Sequence, residues 1–187
     1  MKKVLVPIAN GSEEFEAVGI IDTLCRADFD VIVASVNKIQ ITGSNNIKLS
    51  ADVLIDDCSN DEFDLIVLPG GLTGARNLRN NDILTQLLKK QASQGKYYAA
   101  ICASPFVVLQ YHGLLDGKKA TVHPVFARQM INKEAISQRV VVDENCITSQ
   151  GPGTVLEFSI KLIEILLGKD KSQSISKPML ICDCSEK

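Results

Sequence analysis

Apolar runs of strand length alternate with helical patterns along most of this chain, and no other feature limits its possible folds as tightly. The runs are Val4 to Ala9, Val31 to Ser35, Leu65 to Leu68 and Tyr97 to Ile101. Between them, Phe15, Val18, Ile21, Leu24 and Cys25 fall close to one helical face, as do Ile83, Leu84, Leu87 and Leu88. Strand alternating with helix predicts a mostly parallel sheet covered on both sides.

Two segments depart from the alternation. Gly43-Ser44-Asn45-Asn46 reads as a turn between short strands at Gln40 to Thr42 and Ile47 to Leu49, a small β excursion on the main sheet. Val140 to Asp143 and Cys146 to Thr148 form a second pair, turning at Glu144-Asn145. Gly151-Pro152-Gly153 then opens a helix over Thr154 to Leu167 that Gly168 ends. That helix is apolar nearly all round, so the domain or a second subunit must cover it on more than one side. Residues 169–187 read as a short helix and tail. With 187 residues and neither an internal repeat nor a dividing linker, the chain is expected to be a single domain over 1–187.

The net charge of −2 leaves no global positive field to attract nucleic acid or anionic lipid, so neither partner is expected. The segment from Met1 to Ala9 superficially copies a signal peptide. Its apolar run is broken by Asn10, Gly11, Ser12, Glu13 and Glu14, and it reads as a first strand. No segment is long enough to span a membrane. Six scattered cysteines suit a reduced cytoplasmic pool better than a disulfide framework. Cys182-Asp183-Cys184 is a weak metal or redox signal, and with two histidines in the chain no metal site is expected.

The run Tyr98-Ala99-Ala100-Ile101-Cys102-Ala103-Ser104-Pro105 drives an apolar strand into a cysteine and then starts a helix, with proline where its missing N–H costs nothing. Exposure at the sheet edge, the helix dipole and nearby N–H groups would together make Cys102 a nucleophilic thiolate. The alternative is a buried, inert cysteine. The other loops leaving strand C-termini, where sites of open α/β sheets lie, are Asn10 to Glu16 and Pro69 to Gly74.

Gly70 and Gly71 let backbone approach a ligand, so the Gly71 and Ala103 amides could form an oxyanion hole; a tight turn needing positive φ explains the same glycines. Glu13 or Glu14 reads as a solvated helix cap. Glu16, packed in the crevice beside the thiol, would have its pKa raised, donate a hydrogen bond to sulfur and shuttle a proton. His123, before Pro124, is open to a catalytic or a structural reading. His112 simply complements a helix end.

Gly11-Ser12-Glu13-Glu14-Phe15-Glu16, Leu68-Pro69-Gly70-Gly71, Ala100 to Pro105, Thr121-Val122-His123-Pro124 and Thr148 to Thr154 together resemble the ThiJ/PfpI superfamily, in its parkinsonism-associated deglycase branch. The resemblance runs in order from about Val4 to about Gly168. It implies a flavodoxin-like three-layer α/β sandwich and a homodimer. It also implies Cys102 as the reactive cysteine, Glu16 as its acidic partner, His123 as the nearby histidine and amides of Gly71 and Ala103 facing the substrate oxygen. Arg26 matches a basic residue near the dimer interface.

Protease-like relatives place histidine directly after the nucleophile, where this chain has Ala103, so peptidase activity is not expected. Asn45 and Gln150 stand where some relatives carry arginine. The activity implied is a glyoxalase or deglycase acting on methylglyoxal-type 2-oxoaldehydes or their early adducts, without glutathione, metal or organic cofactor. A redox-sensing protective protein or chaperone, with Cys102 oxidised to sulfinate, would use the same thiol.

Overall fold

The alternation is realised as β1 (Lys3–Ile8), α1 (Glu14–Arg26), β2 (Asp30–Ser35), β3 (Gln40–Thr42), β4 (Lys48–Ser50), β5 (Val53–Leu54), β6 (Leu65–Leu68), α2 (Leu72–Arg79), α3 (Asp82–Ser93) and β7 (Tyr97–Ile101). After two short helical turns follow β8 (Val140–Asp143), β9 (Cys146–Ser149), α4 (Val155–Leu167) and α5 (Lys169–Ser176). This computed structural model describes residues 1–181; the Cys182-Asp183-Cys184 motif lies outside the described residues.

The main sheet has the order β5-β2-β1-β6-β7-β9-β8, parallel throughout except for β8, which pairs antiparallel with β9. Because side chains alternate across a strand, one sheet feeds two cores. Leu5, Ile66, Leu68, Tyr98 and Ala100 point into the core beneath α2 and α3. Val4, Val6, Leu65, Val67, Ala99 and Ile101 point into the core beneath α1 and α4. The result is a three-layer sandwich, as the pattern of runs predicts, and a flavodoxin-like one, as the resemblance implies. The chain works outward from β1 through β2 to β5, then returns to lay β6 on the other side of β1. That reversal opens a crevice at the strand C-termini, where the loops after β1, β6 and β7 meet.

Three local expectations are corrected. β3 and β4 form a two-stranded sheet of their own rather than an excursion on the main sheet, with β4 one residue later than the sequence pattern suggests. Glu14 explains how that hairpin is held: its buried carboxylate accepts hydrogen bonds from the backbone of Asn45 at 2.6 Å and of Ile47 at 3.2 Å, so it is no solvated cap.

The buried face of α1 is Glu16, Ala17, Ile20, Thr23 and Leu24; of the expected stripe Leu24 is buried and Ile21 partly so, whereas Phe15, Val18 and Cys25 are exposed. The expected helix after Cys102 is a six-residue π-helix, Pro105–Gln110, with wider turns than an α-helix. The apolar α4 is covered by the sheet, α1 and α5, so the domain itself buries most of it.

Candidate active site

Cys102 closes β7 with φ of +64°, a left-handed conformation that is costly for a residue carrying a side chain. The turn is held from three sides. The Cys102 N–H donates to Ser149 O at 3.0 Å, and its carbonyl accepts the His123 N–H at 2.9 Å. The Ser104 hydroxyl donates to Pro69 O at 2.5 Å, tying the turn to the loop after β6. So fixed, the thiol is buried on one side and partly open to solvent on the other.

The first turn of α1 brings Glu16 against it. Glu13 caps that helix by accepting the Glu16 N–H at 2.7 Å, and the Glu16 side chain turns inward with no solvent exposure. Its Oε2 accepts the Gly70 N–H at 2.7 Å and lies beside the Cys102 side chain, both crowding the point a Gly70 Cβ would occupy. Its Oε1, equally buried, has no hydrogen-bond partner. A buried carboxyl oxygen without a donor favours the protonated acid. Burial pushes the Glu16 carboxyl up to about 7, against the lowering effects of the Gly70 amide and Cys102.

Gly70 sits where no side chain fits: a Cβ there would lie 2.5 Å from Cys102 Cβ and 2.6 Å from Glu16 Oε2. Gly71 has φ of +81°, and a Cβ on it would strike Gly11 O at 2.3 Å. The tight-turn reading of Gly71 therefore holds. The amides of Gly71 and Ala103 both point at the sulfur.

The expectation of an acidic thiol is corrected. Burial, then the charge of Glu16, pushes the Cys102 thiol up to about 12, and the two amides offset this only in part. The charge of Glu16 acts only while that carboxyl is ionised. Sulfur and carboxyl are thus a coupled pair: losing one proton leaves a single negative charge and one proton shared between Sγ and Oε2. A buried thiol beside a base that titrates at about 7 is activated by proton transfer, not by resting ionisation.

His123 reaches the same crevice. Its Cδ2 and Glu16 Oε1 lie 3.3 and 4.0 Å from the point a Gly151 side chain would occupy. Its Nδ1 accepts the Val125 N–H at 3.3 Å, which leaves Nε2 as the protonated nitrogen of the neutral ring. Gly151 and Ser104 both lie within runs quoted from the sequence, but neither carries a predicted role in the site, and nothing local marks Ser104 as a brace.

Arg26 does not join the cluster. It sits at the far end of α1, ten residues or about 15 Å from Glu16, paired with Asp22 at 2.8 Å. Gln150 gives its amide to Ile136 O at 3.3 Å, and Asn45 gives its own to Glu14 at 2.9 Å, so neither brings positive charge to the crevice.

A strained cysteine after the fifth strand of the parallel sheet, an inward glutamate after the first and a Gly-Gly turn between them agree with what a family-wide sequence model finds: residues 2–165 match the DJ-1/PfpI family. The chain belongs to the DJ-1/PfpI family. Among its relatives, Arabidopsis thaliana "Protein DJ-1 homolog B" is 49% identical over 180 residues, covering 96% of this chain and 41% of that protein. "Protein DJ-1 homolog A" of the same plant is 47% identical, with 96% and 46% covered. The chain thus spans less than half the length of these two.

"Glutathione-independent glyoxalase DJR-1.2" of Caenorhabditis elegans is 32% identical, with 95% of each chain covered. The solved structure "Toxoplasma gondii DJ-1, oxidized" superposes with a TM-score of 0.95 at 45% identity, covering 98% of this chain and 100% of the other.

Proposed function

We propose that the protein is a cysteine-dependent, cofactor-independent glyoxalase or deglycase acting on methylglyoxal-type 2-oxoaldehydes or their early adducts. The observation that carries this reading is the Cys102–Glu16 pair, a thiol on a strained turn packed against a buried carboxyl poised at about 7. The glyoxalase name of the worm relative supports the substrate class.

In the proposed reaction, Sγ bonds to the aldehyde carbon as its proton passes to Glu16 and on to the aldehyde oxygen, giving a hemithioacetal. The Gly71 and Ala103 amides, already converging at the sulfur, hold the oxygen while it carries charge. Glu16 removes the hydrogen of that carbon as a proton and returns it to the neighbouring ketone carbon, while the hydroxyl proton moves to the ketone oxygen. The aldehyde carbon is thereby oxidised to a thioester and its neighbour reduced to a carbinol. Water cleaves the thioester, releasing lactate and restoring the thiol. An early adduct enters at the same carbon, its amine or thiol leaving with a proton.

His123, through Nε2, assists proton movement at the mouth of the crevice. The outward apolar stripe of α1, with Phe15 59% and Val18 48% exposed, supports pairing of two copies. The test is lactate formation from methylglyoxal by purified protein without glutathione. Turnover is expected in the wild type and not in Cys102→Ser; equal rates in both would overturn the assignment.

The oxidised form of the Toxoplasma protein favours a second reading, in which peroxide converts the Cys102 thiol to sulfinate as a signal. No lactate formation, together with peroxide-dependent protection of a client protein, would support it instead.

A further inference from the structure

Beside the crevice, a cavity of about 310 Å³ is lined by Leu72, Arg76, Arg79, Phe106, Tyr111 and Phe126, among others. Three of its lining residues connect directly to the candidate active site. Leu72 follows Gly71, Phe106 lies on the π-helix after Cys102, and the Phe126 N–H bonds to His123 O at 2.8 Å. The site is built rather than incidental. Phe106 and Phe126 stack at 5.5 Å, and Gln110 fixes the opposite segment by donating to Gln129 O at 3.1 Å and accepting the Ile131 N–H at 2.9 Å.

Its charge is unanswered. Arg26 and Arg139 each hold a carboxylate, whereas Arg76 and Arg79 hold none among the described residues. Arg79 instead lies 4.5 Å over the Tyr111 ring. Among the lining residues, Leu72 is 41% exposed, Tyr111 66% and Ile131 80%, an apolar fringe wider than a free small anion would cover. Exposed tyrosine and arginine beside an apolar floor are the side chains that dominate protein recognition.

We infer that this groove binds an acidic peptide segment bearing apolar side chains, seating a protein-borne carbonyl adduct so that the adduct reaches Cys102. Aspartate or glutamate of the segment would meet Arg76 and Arg79, and an aromatic or aliphatic side chain would enter against Phe106 and Phe126. The inference rests on the proposed carbonyl chemistry only for what the segment carries. The groove therefore ranks protein adducts by their flanking residues, which methylglyoxal itself is too small to sense.

The test measures fluorescence anisotropy of a labelled peptide of alternating aspartate and phenylalanine against a lysine and phenylalanine peptide of equal length. The acidic peptide is expected to bind at least about tenfold tighter, less so at high salt. Arg76→Glu combined with Arg79→Glu should abolish the preference, and Phe126→Ala should weaken binding of both peptides. Turnover of methylglyoxal by the charge-reversed variant should stay within about twofold.

Since the peptides carry no aldehyde, their binding is scored whether or not the protein turns over methylglyoxal. Equal binding of the two peptides, or acidic binding unchanged by the double reversal, would overturn the inference. So would an altered oligomeric state in that variant with peptide binding intact, which would give the groove to a second copy of the chain.

Discussion

Cys102 and Cys146 lie at opposite ends of two adjacent strands, Cys102 after the C-terminus of β7 and Cys146 at the start of β9, and burial pushes both thiols up to about 12. Their surroundings differ in every other respect. Cys146 sits fully buried in β9, beside the hydroxyl of Tyr98, which is itself committed to Leu114 O at 2.8 Å. Cys102 sits in a strained turn, partly open, with a carboxyl on one side and two amides on the other. Resting acidity does not separate the two thiols. What separates them is a base within reach and a path to solvent.

The sharpest way to break that comparison is to remove each sulfur in turn. Cys102→Ser should lower methylglyoxal turnover by at least about 10³-fold, measured as lactate formed. Cys146→Ala should leave turnover within about twofold and cost about 1 kcal/mol in denaturant unfolding, since it empties a small buried volume. A comparable loss of turnover in both would mean that the neighbourhood of Cys102 is nothing special.

Removing the base comes next. Glu16→Gln keeps shape and an acceptor for the Gly70 amide but cannot move a proton, so turnover should fall by about 10²- to 10⁴-fold. Stability should move the other way. The carboxyl ionises at about 7 in the folded chain against 4.5 when free, so the native state keeps its proton longer. The wild type therefore loses stability as pH rises from the free value through the folded one, by roughly 3 kcal/mol in all. Glu16→Gln should melt higher than the wild type at pH 8 and nearly level with it at pH 4. A variant no more stable at pH 8 would show that the burial of Glu16 carries no such cost.

A Cβ on residue 70 would drive Cys102 and Glu16 apart. Gly70→Ala should cost about 1–3 kcal/mol in stability and lower turnover by about 10²-fold, both from the same displacement. A smaller effect is expected at His123, whose ring approaches Glu16 across Gly151 and whose N–H bond to Cys102 O an alanine keeps. His123→Ala should reduce turnover by about tenfold or less, and a larger drop would move it from assisting to central.

Much of this was legible in the residues. Apolar runs alternating with helical patterns sufficed for the layers, because strands buried on both faces leave little else to form. Cys102, Glu16 and the glycine pair were found because they follow three strand ends, which a parallel sheet must bring together. The face of α1 was not legible. Its inward stripe carries Glu16 and Thr23, while Phe15 and Val18 point out, so hydrophobic periodicity selects a face rotated from the buried one that keeps Leu24 and part of Ile21. Nor was the thiol's acidity, since the penalty depends on how tightly Gly70 lets Cys102 and Glu16 close, a packing distance that no local pattern encodes.

The pH dependence of Cys102 alkylation by iodoacetamide, compared in wild type and Glu16→Gln, tests the proton-sharing pair most directly. The wild-type rate should climb with loss of one proton near pH 7, where the pair first ionises, and then level off. In Glu16→Gln that step should vanish, with reactivity appearing only above the ordinary thiol range. A wild-type profile without a step near 7, or one that Glu16→Gln leaves unchanged, would contradict the account.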